Sequence, residues 1–593
     1  MTPFAKFPLW FALVAWASIA TGVGGTLTAT VHHTIAKTPL LLGETIFTNA
    51  AGNVVSVSRL DYLLSEFVLI TDSGRRVMLT NQFAYVSAGA ALNTITLTNV
   101  PPEQFKALQF RIGVGPELNH ADPARFAPHH PLNPILNGLH WNWQGGYVFL
   151  AIEGTWRQPN SEPGGYSYHL ATDALEMRAT IPVRFTMDAD TRLALSFDVA
   201  RVFSGTNRIR IDESTTSTHS RAGDPLAIQL AGNVTNAFSA SVAPAVSTPE
   251  KLPAPIARIE IAPNATPYRL TFSKLFPIPA LPRDNPITDQ GVALGRRLFN
   301  DTALSINGQQ SCATCHRPAA AFTDSGKRFS SGSEGVVGKR NAMPLANLAW
   351  NSSFFWDGRT ASLREQVLQP VINPDEMHES LPNIVGKLDR AGYTPAFVAA
   401  FGTGIISADR VARALEQFLL TLVSHDSKFD HVLLGLETFT RDEQRGFELF
   451  QTEYDPRREQ FGADCFHCHG GPLFSDLAFH NNGLDAAGAA KDLGRFLVTS
   501  NRADLAKFKT PSLRNVALTA PYMHDGRFAT LEEAVAHYAG GVKRTATLDP
   551  NLSKHPDGGV QLSADDQRAL VAFLKTLSDP GHAARGAART AGE

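Results

Sequence analysis

Cys312-Ala313-Thr314-Cys315-His316 and Cys465-Phe466-His467-Cys468-His469 use all four cysteines of the 593-residue chain. Two thiols at this spacing can form thioethers to the vinyl groups of one haem while the histidine that follows reaches the iron. Four cysteines in an exported chain could instead form two disulfides, but that leaves the histidine directly after each pair unexplained. Cys312, Cys315, Cys465 and Cys468 are therefore expected to attach two c-type haems, with His316 and His469 as proximal ligands. His467, inside the second motif, has neither role and is expected at the surface.

The surrounding composition fits an exported multidomain protein. Lys6 precedes the apolar run Phe7 to Ala20, and Ser18-Ile19-Ala20 offers small residues for cleavage, so 1–20 reads as a signal peptide, a signal anchor being the alternative. The run is short for a membrane span, and no later segment approaches the roughly 20 apolar residues one needs. A periplasmic protein without a membrane span after cleavage is expected. The 53 basic against 55 acidic residues leave a net charge of -2, which gives no field for nucleic acid or an anionic membrane. The length exceeds what a single core supports.

Texture divides the chain. Residues 26–235 carry short β-rich runs, among them Leu27 to Thr34, Phe67 to Thr71, Leu108 to Val114, Tyr147 to Glu153 and Leu193 to Val199, which predict an all-β, sandwich-like domain. Residues 236–264 are rich in proline and alanine and read as a linker. Beyond them helical patterns dominate, such as Asp289 to Phe299, Ser407 to Ser424, Arg441 to Gln451 and Ser563 to Leu577. Gly291 to His316 echoes Gly446 to His469, as an internal duplication would. The expected fold is thus an N-terminal all-β domain followed by mainly α dihaem cytochrome c domains, at 265–440 and 441–580, with a flexible tail at 581–593.

No further histidine stands between His316 and Trp356, so the first haem lacks a sixth ligand in its own loop, and an open iron binds peroxide. Gln366, Pro370 and Glu376 are spaced so that a helix and the following loop could line one pocket, with Glu376 as acid-base group for O–O cleavage. Taken alone, a glutamate in a loop is more often a solvated charge.

The region 289–577 resembles the dihaem cytochrome c peroxidase and MauG superfamily. The resemblance rests on the two haem motifs, Phe355-Trp356-Asp357-Gly358-Arg359, Pro374-Asp375-Glu376-Met377, Thr510-Pro511-Ser512-Leu513-Arg514-Asn515-Val516 and Pro521-Tyr522-Met523-His524-Asp525-Gly526. It implies that Trp356, 40 residues after His316, relays electrons between the haems. It also implies a calcium ion held by Asn341, Thr519 and Pro521, an oxygen-only set suited to a hard cation. Conventional dihaem peroxidases have Met 14 positions after the residue matching His524, whereas MauG-like enzymes have Tyr; this chain has Tyr538. Met523 is a rival ligand. A phenolate stabilises oxidised iron better than a thioether does. Tyr538 and the missing distal histidine both favour a MauG-like oxidase.

The β-domain resembles MbnP-like copper-binding proteins through Val31-His32-His33-Thr34, Trp141-Asn142-Trp143-Gln144-Gly145-Gly146-Tyr147 and Tyr168-His169-Leu170. In that family's system a MauG-like partner, MbnH, oxidises a tryptophan to kynurenine, which helps bind copper. The resemblance implies peroxide-dependent oxidation of Trp141 or Trp143 by the fused haem domains. His33 and His169 are the candidate copper ligands, with His120 behind them; imidazole suits copper. The alternatives are a peroxidase drawing electrons from a small redox protein, and a copper-binding protein without catalysis.

Overall fold

A computed structural model describes residues 24–587, apart from 91, 142–145, 160, 189, 219–222, 244–258 and 456–458. The signal peptide, Trp143, the middle of the linker and the end of the tail lie outside the described residues.

The N-terminal module is built of two sheets around one core. Gly25–Ile35 pairs in parallel with Asp190–Asp198 and antiparallel with Thr94–Val100. The larger sheet runs in the order Met177–Thr186, Gln104–Ile112, Arg59–Thr71, Val148–Arg157, Gly164–Ala171 and Ser217–Thr218. Side chains alternate along a strand. Leu27, Ala29 and Val31 from one sheet thus meet Leu60, Tyr62 and Leu150 from the other in the shared core. The same alternation turns Arg59, Asp61, Glu153 and His169 to the other face of the larger sheet, in one band: Asp61 pairs with Ala151 and Ala151 with His169, while Arg59 pairs with Glu153.

Two boundaries differ from the sequence reading. The module does not end at 235 in β structure: Pro225–Thr235 is a helix, capped by the Asp224 side chain, and Phe238–Val242 then adds a strand to Asp190–Asp198. That strand lies inside the expected linker, because Phe238 finds a pocket among Phe197, Tyr62 and Phe110. At the other end, Pro580–Ala587 is helical rather than a flexible tail, and the buried His582 packs on Phe322 beside the first haem motif.

The helical half repeats one crossing twice. Asp289–Asn300 crosses Ala408–Leu420 where Gly295 lies against the Ala414 carbonyl and Phe418. Arg441–Gln451 crosses Ala564–Lys575 where Gly446 lies against the Ala569 carbonyl and Phe573. A Cβ at either glycine would overlap that carbonyl, so close packing of the two helices requires glycine there. The duplication is therefore anchored at Gly295 and Gly446, one turn later in the first copy than the Gly291 alignment predicts. Among the described residues no helix is long and apolar enough to cross a membrane.

Arg514 ties the two haem modules together. It is wholly buried, donates to both Asp430 oxygens at 2.8 Å and gives its Nε–H to the Pro472 carbonyl at 2.6 Å. Its guanidinium lies over Phe276 at 4.6 Å. Removing one partner of a buried ion pair strands the other charge. Asp430→Ala is expected to destabilise the haem modules by about 3–5 kcal/mol, read by thermal unfolding; a loss under about 1 kcal/mol, the range of exposed pairs, would contradict this role.

Candidate active site and the junction between modules

Both Cys-x-x-Cys-His loops make the same turn. The His316 N–H donates to the Cys312 carbonyl and that of His469 to the Cys465 carbonyl, each at 2.9 Å. His316 Nδ1 lies 2.7 Å from the Phe322 carbonyl and His469 Nδ1 3.0 Å from that of Phe474. A carbonyl can only accept, so Nδ1 carries the proton and Nε2 keeps the lone pair that a metal needs. Burial lowers both imidazole pKa values and holds the rings neutral. All four cysteines are free of disulfides, and burial pushes the Cys312 and Cys465 thiols up to about 12. Cys312, Cys315 and His316 line a cavity of about 1400 Å³; Cys465, Cys468 and His469 line one of about 230 Å³. Paired thiols and a tautomer-fixed imidazole at the wall of each cavity fit a covalent haem in both.

The structure brings Gln366, Pro370 and Glu376 together on the wall of the first cavity. Asn373 donates to Glu376 Oε1 at 2.8 Å. Burial raises the Glu376 pKa, against the opposing pull of Asn373 and Arg359. Trp356 lines both cavities; its indole N–H donates to the Asn341 carbonyl at 2.9 Å and its own carbonyl accepts from the Lys509 N–H at 2.8 Å. Asn341, Thr519 and Pro521 all line the second cavity. The Asn341 amide nitrogen faces the Lys327 and Arg328 carbonyls at 3.3 and 3.2 Å, which leaves its oxygen as the atom for a cation.

Tyr538 lies in a short π-helical turn, His537–Gly541, and faces the second cavity together with Met523. Asn482 Nδ2 spans the two rivals, 3.1 Å from Tyr538 Oη and 3.4 Å from Met523 Sδ.

Two residues with no sequence signal stand here as well. Lys509 is buried beside both cavities, its ammonium held by the Ser353 carbonyl, and burial lowers its pKa to about 7. His480 is clamped between Asp476 at 2.7 Å and Asp549 at 2.5 Å, and the two carboxylates raise its pKa well above the usual value. A lysine before Thr-Pro and a histidine before Asn-Asn read as surface residues until the fold closes over them.

In the β module, His33 and His169 do not share a site. His33 bonds Tyr62 Oη at 3.0 Å on the core side of the larger sheet, whereas His169 bonds Glu153 at 2.8 Å on the outer face. His120 pairs with Asp173 at 2.7 Å at the surface. Trp141 packs against both the β core and the core of the second haem module.

The His467 side chain is buried, contrary to its expected exposure. The outer face of the larger sheet covers it: its ring meets that of His169 edge-on at 5.1 Å. Lys554 Nζ lies 3.3 Å from His467 Nε2, 2.7 Å from Asp464 and 3.2 Å from Glu453. Burial takes the His467 pKa down to about 3, so the ring is neutral and accepts from the ammonium. Asn551 donates to Glu153 Oε2 at 3.1 Å across the junction, and Ser217 Oγ donates to Glu453.

Two covalent-haem loops related by duplication, sharing a tryptophan between their cavities, define a dihaem c-type cytochrome of the peroxidase class. Residues 289–438 match the family model described as di-haem cytochrome c peroxidase, and residues 24–220 match that of MbnP. Methylamine utilization protein MauG of Methylorubrum extorquens is 40% identical over 301 residues, 50% of this chain and 80% of that protein. Cytochrome c551 peroxidase of Nitrosomonas europaea is 35% identical over 308 residues, 51% of this chain and 84% of that protein. The crystal structure of a MauG-like protein associated with microbial copper homeostasis is 36% identical, covering 53% of this chain and 97% of that one, with a TM-score of 0.48. The chain belongs to the di-haem cytochrome c peroxidase family that includes MauG, as a peroxidase-family oxidoreductase fused to an MbnP domain.

Glu376→Gln keeps the shape and hydrogen bond of the side chain but cannot exchange a proton. It is expected to slow the reaction with peroxide by about 10²–10⁴-fold at unchanged haem content. Stopped-flow absorbance reads the rate. In the parent protein the acid limb of the pH profile should lie above the ordinary carboxylate range, because burial raises the Glu376 pKa; a profile unaltered by the substitution would remove Glu376 from the reaction.

Proposed function

We propose that this protein uses hydrogen peroxide to oxidise a tryptophan of its own MbnP domain to kynurenine, creating or maturing a copper-binding site in the periplasm. Tyr538 carries this reading: its phenol oxygen faces the cavity of Cys465, Cys468 and His469, within reach of the Asn482 amide. A phenolate at that position favours storage of oxidising equivalents over fast electron entry from a donor. The bound haems supply the redox chemistry that reduces peroxide to water.

The side chains divide the remaining work. Gln366 and Pro370 confine peroxide beside Glu376, whose Oε1 is engaged by Asn373 and whose Oε2 moves a proton from one peroxide oxygen to the other. Trp356, at the wall of both cavities, conducts electrons between them. Asn341, Thr519 and Pro521 would hold calcium between the modules. Of the two histidines expected to bind copper, His169 is the one whose ring stands near Trp141, at 6.3 Å, which supports a copper site on the outer face of the sheet.

Likeness to cytochrome c551 peroxidase favours a second reading, peroxide removal with electrons from a small cytochrome. Peptide mass analysis after peroxide separates the two. The parent protein should show a β-module tryptophan that has lost one carbon and gained one oxygen, and Tyr538→Met should show none at equal haem content. Intact tryptophans together with fast turnover of a reduced cytochrome would support the peroxidase.

A further inference from the structure

Among the described tryptophans of the β module, Trp141 and Trp156, only Trp141 also packs against the core of the second haem module. From it a file of rings leads into the second haem motif. Trp141 and His169 centroids are 6.3 Å apart, His169 and His467 5.1 Å, and His467 and Phe466 4.3 Å. Phe466 and His467 are the two residues between Cys465 and Cys468, the thiols that would attach the second haem. Trp141, His169, Phe466 and His467 also line one cavity of about 70 Å³ between the modules, room for more than one water.

The modules are held in this pose by contacts too close to be incidental. Gly165 lies against the Pro550 carbonyl and Ser553 Oγ of the helix Pro550–Ser553, where any Cβ would overlap them. Glu153 and His169 are buried at the junction, where Asn551 and His467 of the haem module meet them, and Arg59 stands half-buried beside them. Arg59 binds Glu153 at 2.9 Å, and Asn551 closes the far oxygen.

We infer that Trp141 is the oxidised residue and that its electrons leave within the same chain, through His169 and the Phe466-His467 segment of the second haem motif. This deepens the oxidase reading and rests on it. The oxidant is hydrogen peroxide: two molecules take up four electrons and four protons to become four waters, while the indole gives up those electrons and protons and takes two oxygen atoms from two waters of the junction cavity across its C2–C3 bond, which breaks to give N-formylkynurenine. Protons released from the indole during the intermediate electron losses pass to water in the junction cavity and return in the waters formed. One water from that cavity then hydrolyses the formyl group, releasing formate and leaving kynurenine.

The test mixes two full-length haem-loaded chains: the parent at natural isotope abundance and Glu376→Gln labelled with ¹⁵N. After peroxide, peptides containing residue 141 are read by mass, with labelled Glu376→Gln alone as control. Conversion at Trp141 confined to unlabelled peptides is expected. Equal conversion in labelled peptides overturns transfer within one chain, and conversion at Trp143 or Trp156 in place of Trp141 overturns the target. Absence of conversion at any tryptophan of the unmixed parent overturns the oxidase reading itself and this inference with it. Gly165→Val, which pushes the modules apart, should slow conversion on the order of tenfold or more while haem content and the rate of the initial reaction with peroxide stay as in the parent; an unchanged conversion rate would deny the docked pose its role.

Discussion

Glu153 is a carboxylate buried between the two modules, and the assembly of this protein turns on how its charge is met. A buried charge is tolerated only when it is paired and hydrogen-bonded on all sides. Arg59 and His169 meet it from the β module, and Asn551 from the haem module. Facing it, Lys554 pairs with both Glu453 and Asp464 and donates to His467. Separating the modules would open both clusters, so the polar junction fixes one relative placement where an apolar contact would allow sliding. That placement brings Trp141 to the second haem motif.

Duplication explains how two cavities with the same attachment chemistry come to differ. The repeated glycine crossings at Gly295 and Gly446 set the same helix pair beside each motif, and the same backbone turn presents His316 and His469. What diverges is the opposite wall. The larger cavity has Glu376, whose pKa burial raises, while the smaller is lined by Tyr538, Met523 and many apolar side chains. One wall offers a buried carboxyl group and the other a phenol and a thioether. Trp356 is common to both walls.

Much of this was legible in the chain because the chemistry is local. The spacing of Cys312, Cys315 and His316 is itself the attachment geometry, and period-two and helical patterns located the strands and the helices Asp289–Asn300 and Ala564–Lys575. Residues whose meaning depends on what covers them were not legible. His467 looks exposed until the sheet face of Glu153 and His169 closes on it. Phe238–Val242 reads as linker until Phe197 and Tyr62 offer its first side chain a pocket. His33 and His169 look equivalent as imidazoles, and only the alternation of the strands assigns them to opposite faces of one sheet.

Everything converges on the indole of Trp141, at the seam between a peroxide-reactive module and an MbnP domain. High-resolution electron density of the haem-loaded chain before and after peroxide tests this most directly. An opened indole ring at residue 141, with Trp156 and Trp356 intact and the modules in the same pose, is the expected result. An intact ring at residue 141 in crystals that have consumed peroxide would contradict it.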